Sequence, residues 1–232
     1  MNFSIVIPIY NEELNILSLF NEILYLKNLN KYSFEVVFVN DSSRDNSLKI
    51  LNKIQKENPS IVKILSNQKN LGQSFSILHG IKVSKYETIV TIDGDGQNNP
   101  KNLPLLLEKF FLNKNIKLVG GIRVNRKDSS IKIISSRLAN NFRSLILQDK
   151  CKDTGCSLKV FDKKIFLQFP FFNGIHRFLP ALFKGYGYNT LFINVDHRKR
   201  NFGKSNYGTF KRLIYGIIDI IRVLQIIRRY KK

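Results

Sequence analysis

The sequence has little of three features, and each shortage excludes a class of protein. Its 232 residues include only two cysteines, Cys151 and Cys156, too few for a disulfide scaffold. No window reaches the roughly 18 to 20 uninterrupted apolar residues that a membrane-spanning helix needs. The amino terminus has neither the basic region nor the cleavage site of a signal peptide. We therefore expect a cytoplasmic protein without a membrane-spanning segment.

Acidic residues are also scarce, because 17 Asp and Glu stand against 38 Lys and Arg, a formal net charge of +21. Such a charge favours anionic partners: phosphates, nucleic acid or an acidic membrane surface. The hydrophobic content of 43% supports a substantial core, and we find no internal repeat or low-complexity linker. We expect one continuous domain over residues 1–206, followed by a helical appendage over residues 207–232.

Two hydrophobic periods alternate along the first half of the chain. Short β-branched runs predict buried strands, and amphipathic segments between them predict helices. The predicted strands are 3–9, 34–39, 61–65, 88–92, 116–119 and, later, 190–195; the predicted helices are 12–26, 45–57, 74–83 and 103–111. This series indicates an α/β fold, in which a mostly parallel central sheet has helices on both faces.

Polar residues follow the predicted strands, where parallel sheets bind ligands. The loop after the fourth strand places Asp93 and Asp95 two residues apart, and Gln97 adds another side-chain oxygen. Oxygen ligands of this kind suit Mg²⁺ or Mn²⁺. Gly94 and Gly96 let the backbone turn and approach a ligand closely. The other interpretation is a solvated Asp-Gly turn.

A calcium-binding EF-hand loop is excluded, since its twelfth position counted from Asp93 is Pro104 and not glutamate. Two further acids strengthen the site hypothesis. Glu12 follows the first predicted strand and Asp41 follows the second, so both should converge with Asp93 at one edge of the sheet. Either acid alone is more typical of a helix cap. Together they can accept hydrogen bonds from ribose hydroxyl or base N–H groups.

Several motifs, in their order and spacing, resemble family 2 glycosyltransferases over about residues 4–225. The motifs of the nucleotide-sugar-binding half are "SIVIPIYNEELNI", "VVFVNDSSRDNS", "NLGQSFSILHGI" and "ETIVTIDGDGQNNP". Later motifs are similar to the subgroup that transfers sugar to polyprenyl phosphate and includes dolichyl-phosphate mannose synthase: "GGIRVNRKDS", "KDTGCSLKVF", "HRFLPALFKGYGY" and "HRKRNFGKSNYG". The chain departs from the family at Asn40 and Ser42, where aspartate and glycine are common.

The resemblance implies a GT-A fold and an inverting transfer from a nucleoside diphosphate sugar to a polyprenyl phosphate such as undecaprenyl or dolichyl phosphate. It also implies Mg²⁺ or Mn²⁺ as cofactor. By position, the nucleotide-sugar-binding residues would be Pro8, Tyr10, Glu12, Asp41, Asp93, Asp95 and Gln97. The metal ligands would be Asp93, Asp95 and Gln97, with Asp93 on the nucleotide side.

Transfer to a phosphate needs little base catalysis, because the acceptor oxygen is already anionic near neutral pH. The harder task is to stabilise the leaving diphosphate, which arginines and a metal ion can do. By resemblance, the catalytic residues would be Asp95, Asp153, Arg123 and Arg200. The acceptor and phosphate contacts would come from Arg123, Lys132, Ser136, Arg137, His176, Arg177, Arg198, Arg200 and Lys204. Asp153 could act as base, position the sugar or orient an arginine.

The segment 207–232 has the pattern of an in-plane interfacial helix: a broad apolar face, a narrow polar stripe and the basic end "RRYKK". Its polar residues are Asp219, Arg222, Gln225 and Arg229. A packing or dimerising helix is the alternative. Related enzymes often continue into membrane spans, so we expect this chain to be peripheral on the inner face of the cell membrane. It would bind the anionic surface directly or through a separate membrane protein.

Two other functions remain open. A family 2 enzyme could use a soluble, protein or glycan acceptor, but many of those carry a Gln-x-x-Arg-Trp motif and this chain has no tryptophan. A nucleic-acid-binding module would account for the charge of +21, yet acidic loops at the strand ends fit it poorly. We therefore expect no nucleic-acid partner.

Overall fold

A computed structural model describes residues 1–29, 31–124, 142–199 and 209–230, with side chains in the last range from residue 216 onward. The strands are β1 (Asn2–Ile9), β2 (Ser33–Asn40), β3 (Val62–Ser66), β4 (Thr88–Thr91), β5 (Ile116–Val124), β6 (Lys159–Asp162) and β7 (Asn189–Asp196). The helices are α1 (Ile16–Leu24), α2 (Ser47–Glu57), α3 (Gln73–Val83), α4 (Leu103–Leu112), α5 (Lys163–Phe166), α6 (Ile175–Gly185) and α7 (Thr209–Tyr230). Short 3₁₀ turns cover Tyr25–Leu29 and Pro100–Asn102.

The strands form a sheet of seven in the order β3-β2-β1-β4-β6-β5-β7. Only β6 runs antiparallel to its neighbours among the described strands. Alternate side chains of β1 enter opposite cores, because Ile5 and Ile7 pack with α1, α2 and α4 whereas Val6 packs with α3, α6 and α7. Helices therefore cover both faces, and the predicted α/β class with a mostly parallel sheet is confirmed.

The structure differs from the sequence prediction at three places. Strand β6 was not predicted, because it is four residues long and Lys159 interrupts its apolar pattern. Helix α1 begins at Ile16, so Glu12 lies in the turn before it. Strand β5 continues to Val124 and carries Arg123 to the end of the sheet at which β4 also ends. The basic segment 131–147 also has a helical pattern in the sequence; the structure describes it only over residues 142–147, which are helical.

Helix α7 packs along one side against the core that Val6 shares with α3 and α6. Val223 is fully buried there, and the ring of Tyr230 stacks on Tyr186 with centroids 3.7 Å apart. Asp219 also faces inward, although the sequence pattern placed it on a polar stripe. Among the described residues, no helix has the length and apolar character to cross a membrane. The division at residue 206 and the interfacial role of this helix stay predictions.

Candidate active site

The acidic loop begins where β4 ends, and its first carboxylate is held by helix α3. Gln73 Nε2 donates to Asp93 Oδ1 at 2.7 Å, and the Asp93 backbone N–H donates to Ser157 Oγ at 3.1 Å. Asp95 Oδ1 accepts the Gln97 backbone N–H at 3.1 Å, which closes the turn. The two carboxylates are thus fixed by different parts of the chain while sharing one loop.

Glycine at position 94 lets this loop lie directly against the end of β1. A Cβ atom at Gly94 would come within 2.4 Å of Ile9 Cδ1 and 3.1 Å of the Pro8 carbonyl oxygen. It would lie 3.8 Å from Glu12 Cγ, so Glu12 borders the loop as the sheet topology predicts. Tyr10, which lies between Ile9 and Glu12 in the sequence, is half-buried. The structure therefore brings the predicted residues after β1 and β4 together.

The proximity of Asp93 and Asp95 is costly when both are ionised. Burial, followed by the negative charge of Asp95, raises the pKa of Asp93 to about 7, against a smaller opposing effect of Ser157, Lys159 and Arg123. A divalent cation would remove this cost, and two carboxylates are hard oxygen ligands of the kind Mg²⁺ and Mn²⁺ take. The donor set of the loop therefore fits such an ion.

The loop cannot supply an all-acid cage. No group of three His, Cys, Asp or Glu side chains within the described ranges is placed to hold a metal ion. Gln97 is the predicted third oxygen ligand of the loop, and its Nε2 faces the Arg198 carbonyl oxygen at 3.4 Å and His197 Nε2 at 3.5 Å. Since the amide nitrogen makes those contacts, Oε1 is the Gln97 atom suited to a cation.

Arg198 joins the end of β7 to the acidic loop. Its backbone N–H donates to the Gln97 carbonyl oxygen at 2.9 Å. Its guanidinium donates to Glu22 Oε1 at 2.8 Å and to Asn99 Oδ1 at 2.7 Å. These contacts give Arg198, which the sequence assigned to phosphate binding, an evident anchoring role beside the loop.

Asp41 is buried at the end of β2 and organises the loop that leads into α3. Its carboxylate accepts the backbone N–H groups of Leu71 and Gly72 at 2.9 and 2.8 Å, and Asn67 Nδ2 at 2.7 Å. A direct contact of Asp41 with nucleotide stays a prediction. Ser42 has φ +59°, a left-handed conformation that glycine adopts without strain.

Arg123 and Asp153 form the best-defined ion pair near the acidic loop. Arg123 Nε and Nη2 donate to the two Asp153 oxygens at 2.7 and 2.8 Å, and the Arg123 backbone N–H adds a bond of 3.1 Å. Burial acts to lower the pKa of Arg123, but Asp153 outweighs it and keeps the guanidinium charged. Because Arg123 engages both oxygens of Asp153, the geometry favours the arginine-orienting role over that of a base.

A contact with Ser74 of α3 links His176 to the end of the sheet that carries the acidic loop. Its Nδ1 lies 2.7 Å from Ser74 Oγ, and Ser74 Oγ in turn accepts the Gly174 backbone N–H at 2.8 Å. Burial, followed by the charges of Arg177 and Lys159, lowers the pKa of His176 to about 3. The ring is therefore neutral near pH 7, and it can meet a phosphate only through a neutral hydrogen bond.

Sequence reasoning missed Lys159, a buried lysine on β6 behind the acidic loop. Its ammonium donates to the Cys156 carbonyl oxygen, and burial lowers its pKa against the opposing charges that include Asp153 and Asp93. A lone lysine inside the apolar run "SLKVF" was the available signal. Burial raises the pKa of Cys156 to about 11, so this thiol is a poor nucleophile.

Five residues predicted for acceptor binding or catalysis lie outside the described residues. They are Lys132, Ser136, Arg137, Arg200 and Lys204. Of the predicted basic residues within the described ranges, Arg123, His176 and Arg198 connect by the contacts above to the edge that carries the acidic loop. Gln73, Ser74 and Ser157, which hold that edge together, were not singled out from the sequence.

The seven-stranded sheet with helices on both faces defines a fold of the GT-A class. Mannosyl-3-phosphoglycerate synthase from Rubrobacter xylanophilus superposes with a TM-score of 0.74 at 14% identity, covering 97% of this chain and 74% of that one. Glucosyl-3-phosphoglycerate synthase from Mycobacterium tuberculosis, in complex with Mn²⁺, UDP and glucosyl-3-phosphoglycerate, gives 0.68 at 16% identity, covering 96% and 78%. The predicted GT-A fold is confirmed.

Residues 4–171 match the model of glycosyl transferase family 2, and the chain belongs to that family. It is 31% identical over 218 residues to undecaprenyl-phosphate 4-deoxy-4-formamido-L-arabinose transferase of Shewanella sediminis, covering 94% of this chain and 65% of the relative. It is also 31% identical over 234 residues to dodecaprenyl-phosphate galacturonate synthase of Rhizobium johnstonii, covering 100% and 68%. The chain thus spans about two thirds of the length of these relatives.

Proposed function

We propose that this protein transfers a sugar, with inversion, from a nucleoside diphosphate sugar to a polyprenyl phosphate such as undecaprenyl phosphate. One observation carries the proposal: Gln73 binds Asp93 of the acidic loop, while the next residue, Ser74, contacts His176 of α6. Asp93, predicted for the donor side, and His176, predicted for the acceptor side, are thus connected through two consecutive residues of α3. The names of both relatives, which specify undecaprenyl and dodecaprenyl phosphate, support the acceptor class.

The donor would bind across the ends of β1, β2 and β4. Its nucleotide would contact Pro8, Tyr10, Glu12 and Asp41, and its diphosphate would face the acidic loop. Asp93, Asp95 and Gln97 would hold Mg²⁺ or Mn²⁺, in line with structural neighbours described with Mn²⁺ or Mg²⁺ and UDP. The ion would neutralise charge on the diphosphate.

The reaction needs no strong base. An anionic oxygen of the acceptor phosphate forms a bond to the anomeric carbon, while the bond from that carbon to the nucleoside diphosphate breaks. Negative charge then develops on the leaving diphosphate. Arg123 is suited to stabilise it, because Asp153 fixes its guanidinium and its charge already acts on Asp93. We assign Asp153 the role of orienting Arg123.

The acceptor is a lipid, so the enzyme must meet a membrane surface. Ile217, Ile218 and Ile221 on the outer side of α7 are 50%, 46% and 53% exposed, although they are apolar. Arg228 and Arg229 are exposed near the end of the same helix. Such a face suits a peripheral helix on an anionic leaflet, where each basic residue contributes about 1 kcal/mol. A separate membrane protein would strengthen the same attachment.

The test uses radiolabelled UDP- and GDP-sugars with Mg²⁺ or Mn²⁺. Two acceptors are compared, undecaprenyl phosphate in liposomes and phosphoglycerate in solution, and liposomes without undecaprenyl phosphate are the control. We expect label in the organic phase only with undecaprenyl phosphate, and none with Asp95→Ala. Glu57→Ala, an exposed change on α2, is the matched control and should keep full activity. Label on phosphoglycerate instead, or full activity of Asp95→Ala, would contradict the proposal.

A further inference from the structure

Arg177 is an under-satisfied cation on the first turn of α6. Its Nη2 lies 3.4 Å from Asp219 Oδ2, a long contact for an ion pair. Its Nε is buried and has no hydrogen-bond partner within the ranges the structure describes. A buried donor without a partner is unfavourable. The Arg177 side chain as a whole is 34% exposed, so its guanidinium is still open to an arriving anion.

The position of Arg177 places this cation on the acceptor side of the site. It follows His176, which contacts Ser74, and Ser74 follows the residue that binds Asp93. The Arg177 backbone N–H donates to the Gly174 carbonyl oxygen at 3.0 Å, so the same tight turn fixes both neighbours. The anion that would complete Arg177 is therefore one bound beside the donor, as the acceptor phosphate must be.

Asp219 of α7 is the group that holds the Arg177 guanidinium. Its carboxylate is buried, and Oδ1 accepts from Arg222 Nη1 at 3.1 Å while Oδ2 faces Arg177. Gly174 makes room for this arrangement: it has φ +105°, and a Cβ there would come within 2.8 Å of Asp219 Oδ2 and 3.0 Å of Arg177 Nη2. The turn, the arginine and the carboxylate thus fit one another closely.

We propose that Asp219 is a positioning residue, which holds Arg177 ready for the acceptor phosphate so that the C-terminal helix completes the acceptor side of the site. This inference rests on the proposed function. It gives α7 a part in the chemistry besides its packing, because the turns that expose Ile217, Ile218 and Ile221 also carry Asp219 inward.

The negative charge of Asp219 does not make the cluster repel a phosphate. Arg177 and Arg222 both pair with it, so two positive charges surround one negative charge and the cluster remains net positive. Arg222 is held in turn over the ring of Phe172, with its guanidinium carbon 5.5 Å from the ring centroid. Removing the Asp219 carboxylate would make the cluster more positive, but it would also let the Arg177 guanidinium move. We expect the loss of a fixed guanidinium to weaken phosphate binding more than the added positive charge strengthens it.

The test measures the rate of sugar transfer in two series. In the first, undecaprenyl phosphate is varied at saturating nucleotide sugar, which gives the acceptor KM; in the second, the nucleotide sugar is varied at saturating undecaprenyl phosphate, which gives the donor KM. For Asp219→Asn we expect the acceptor KM to rise about tenfold, the lower end of what a charge-assisted hydrogen bond contributes. The donor KM and kcat should stay within about twofold, a split that a merely structural role would not produce. Arg177→Gln should raise the acceptor KM as well, and Asp219→Asn should add nothing to it.

Val223→Ala is the matched control, since Val223 is fully buried on the same helix and carries no charge. It should lower the melting temperature and leave the acceptor KM unchanged. If Asp219→Asn melts below the assay temperature, Asp219→Glu replaces it, and a smaller rise in acceptor KM is expected. An unchanged or lower acceptor KM, or an equal rise in Val223→Ala, would overturn the assignment of Asp219. A wild type that transfers nothing to undecaprenyl phosphate would instead contradict the proposed function.

Discussion

The pairing of Arg123 with Asp153 predicts strong energetic coupling between two residues 30 positions apart. Their side chains are only 16% and 6% exposed, and three hydrogen bonds join the residues. Replacing Asp153 by asparagine leaves a buried guanidinium without its charge partner. Replacing Arg123 by glutamine removes the guanidinium from a buried carboxylate, which keeps the hydrogen bond from the backbone N–H of residue 123.

Each single variant should lose about 3–5 kcal/mol of unfolding free energy, the usual cost of breaking a buried pair from one side. The double variant Arg123→Gln/Asp153→Asn leaves neither charge, so its loss should fall short of the sum by up to about 3 kcal/mol. Urea denaturation of the four proteins measures these values. Losses that add within about 0.5 kcal/mol would refute the pairing. The double variant should also transfer sugar no more slowly than Arg123→Gln, because Asp153 acts through Arg123.

Two further predictions concern the acidic loop. Gly94→Val should cost about 1–3 kcal/mol and weaken the donor-induced rise in melting temperature, because its side chain would meet Ile9 and the Pro8 carbonyl oxygen. In EDTA, the unfolding free energy of the wild type relative to that of Asp93→Asn should fall as the pH rises from about 4 to about 7, and should level off above pH 7. The reason is that the folded state raises the pKa of Asp93 from 3.8 to about 7, so it retains a proton there that the unfolded chain releases. Mn²⁺ should flatten that fall, because it stabilises the ionised form.

Controls for the acidic loop come from the chain itself. Gly216→Ala has open space around its Cβ and lies on a helix, so it should not lower the melting temperature and should leave the donor response intact. A Gly94→Val protein that matched it would contradict the close approach of loop and strand. For the pH experiment, equal slopes in wild type and Asp93→Asn would show that Asp93 titrates normally.

The parallel half of the fold was predictable because local pattern and tertiary position agree there. Strands such as β1 are apolar on both faces, and polar residues begin where each strand ends, so the position of the acidic loop beside Glu12 follows from topology. Lys159 could not be placed in this way. Strand β6 is short and antiparallel, and a lysine inside an apolar run is stable only through contacts that the tertiary structure supplies.

Helix α7 illustrates a limit of periodicity. The pattern correctly predicts a helix with one narrow polar stripe, and a stripe containing Asp219 and Arg222 is ordinarily expected to face water. In the structure Asp219 is turned inward, because Arg177, 42 residues earlier in the chain, provides its partner. A partner so distant in sequence leaves no local signal. The Arg123 and Asp153 pair was open from sequence for the same reason, since three roles for the acid fitted equally well.

The most direct test of the proposed reaction is the chemistry of the lipid product. The purified product of the wild-type enzyme would be analysed by mass spectrometry and by NMR at the anomeric carbon. We expect one sugar joined to undecaprenyl phosphate through a phosphodiester, with the anomeric configuration opposite to that of the donor. A pyrophosphate-linked product, retained configuration, or a sugar carried only by a water-soluble acceptor would contradict inverting transfer to a polyprenyl phosphate.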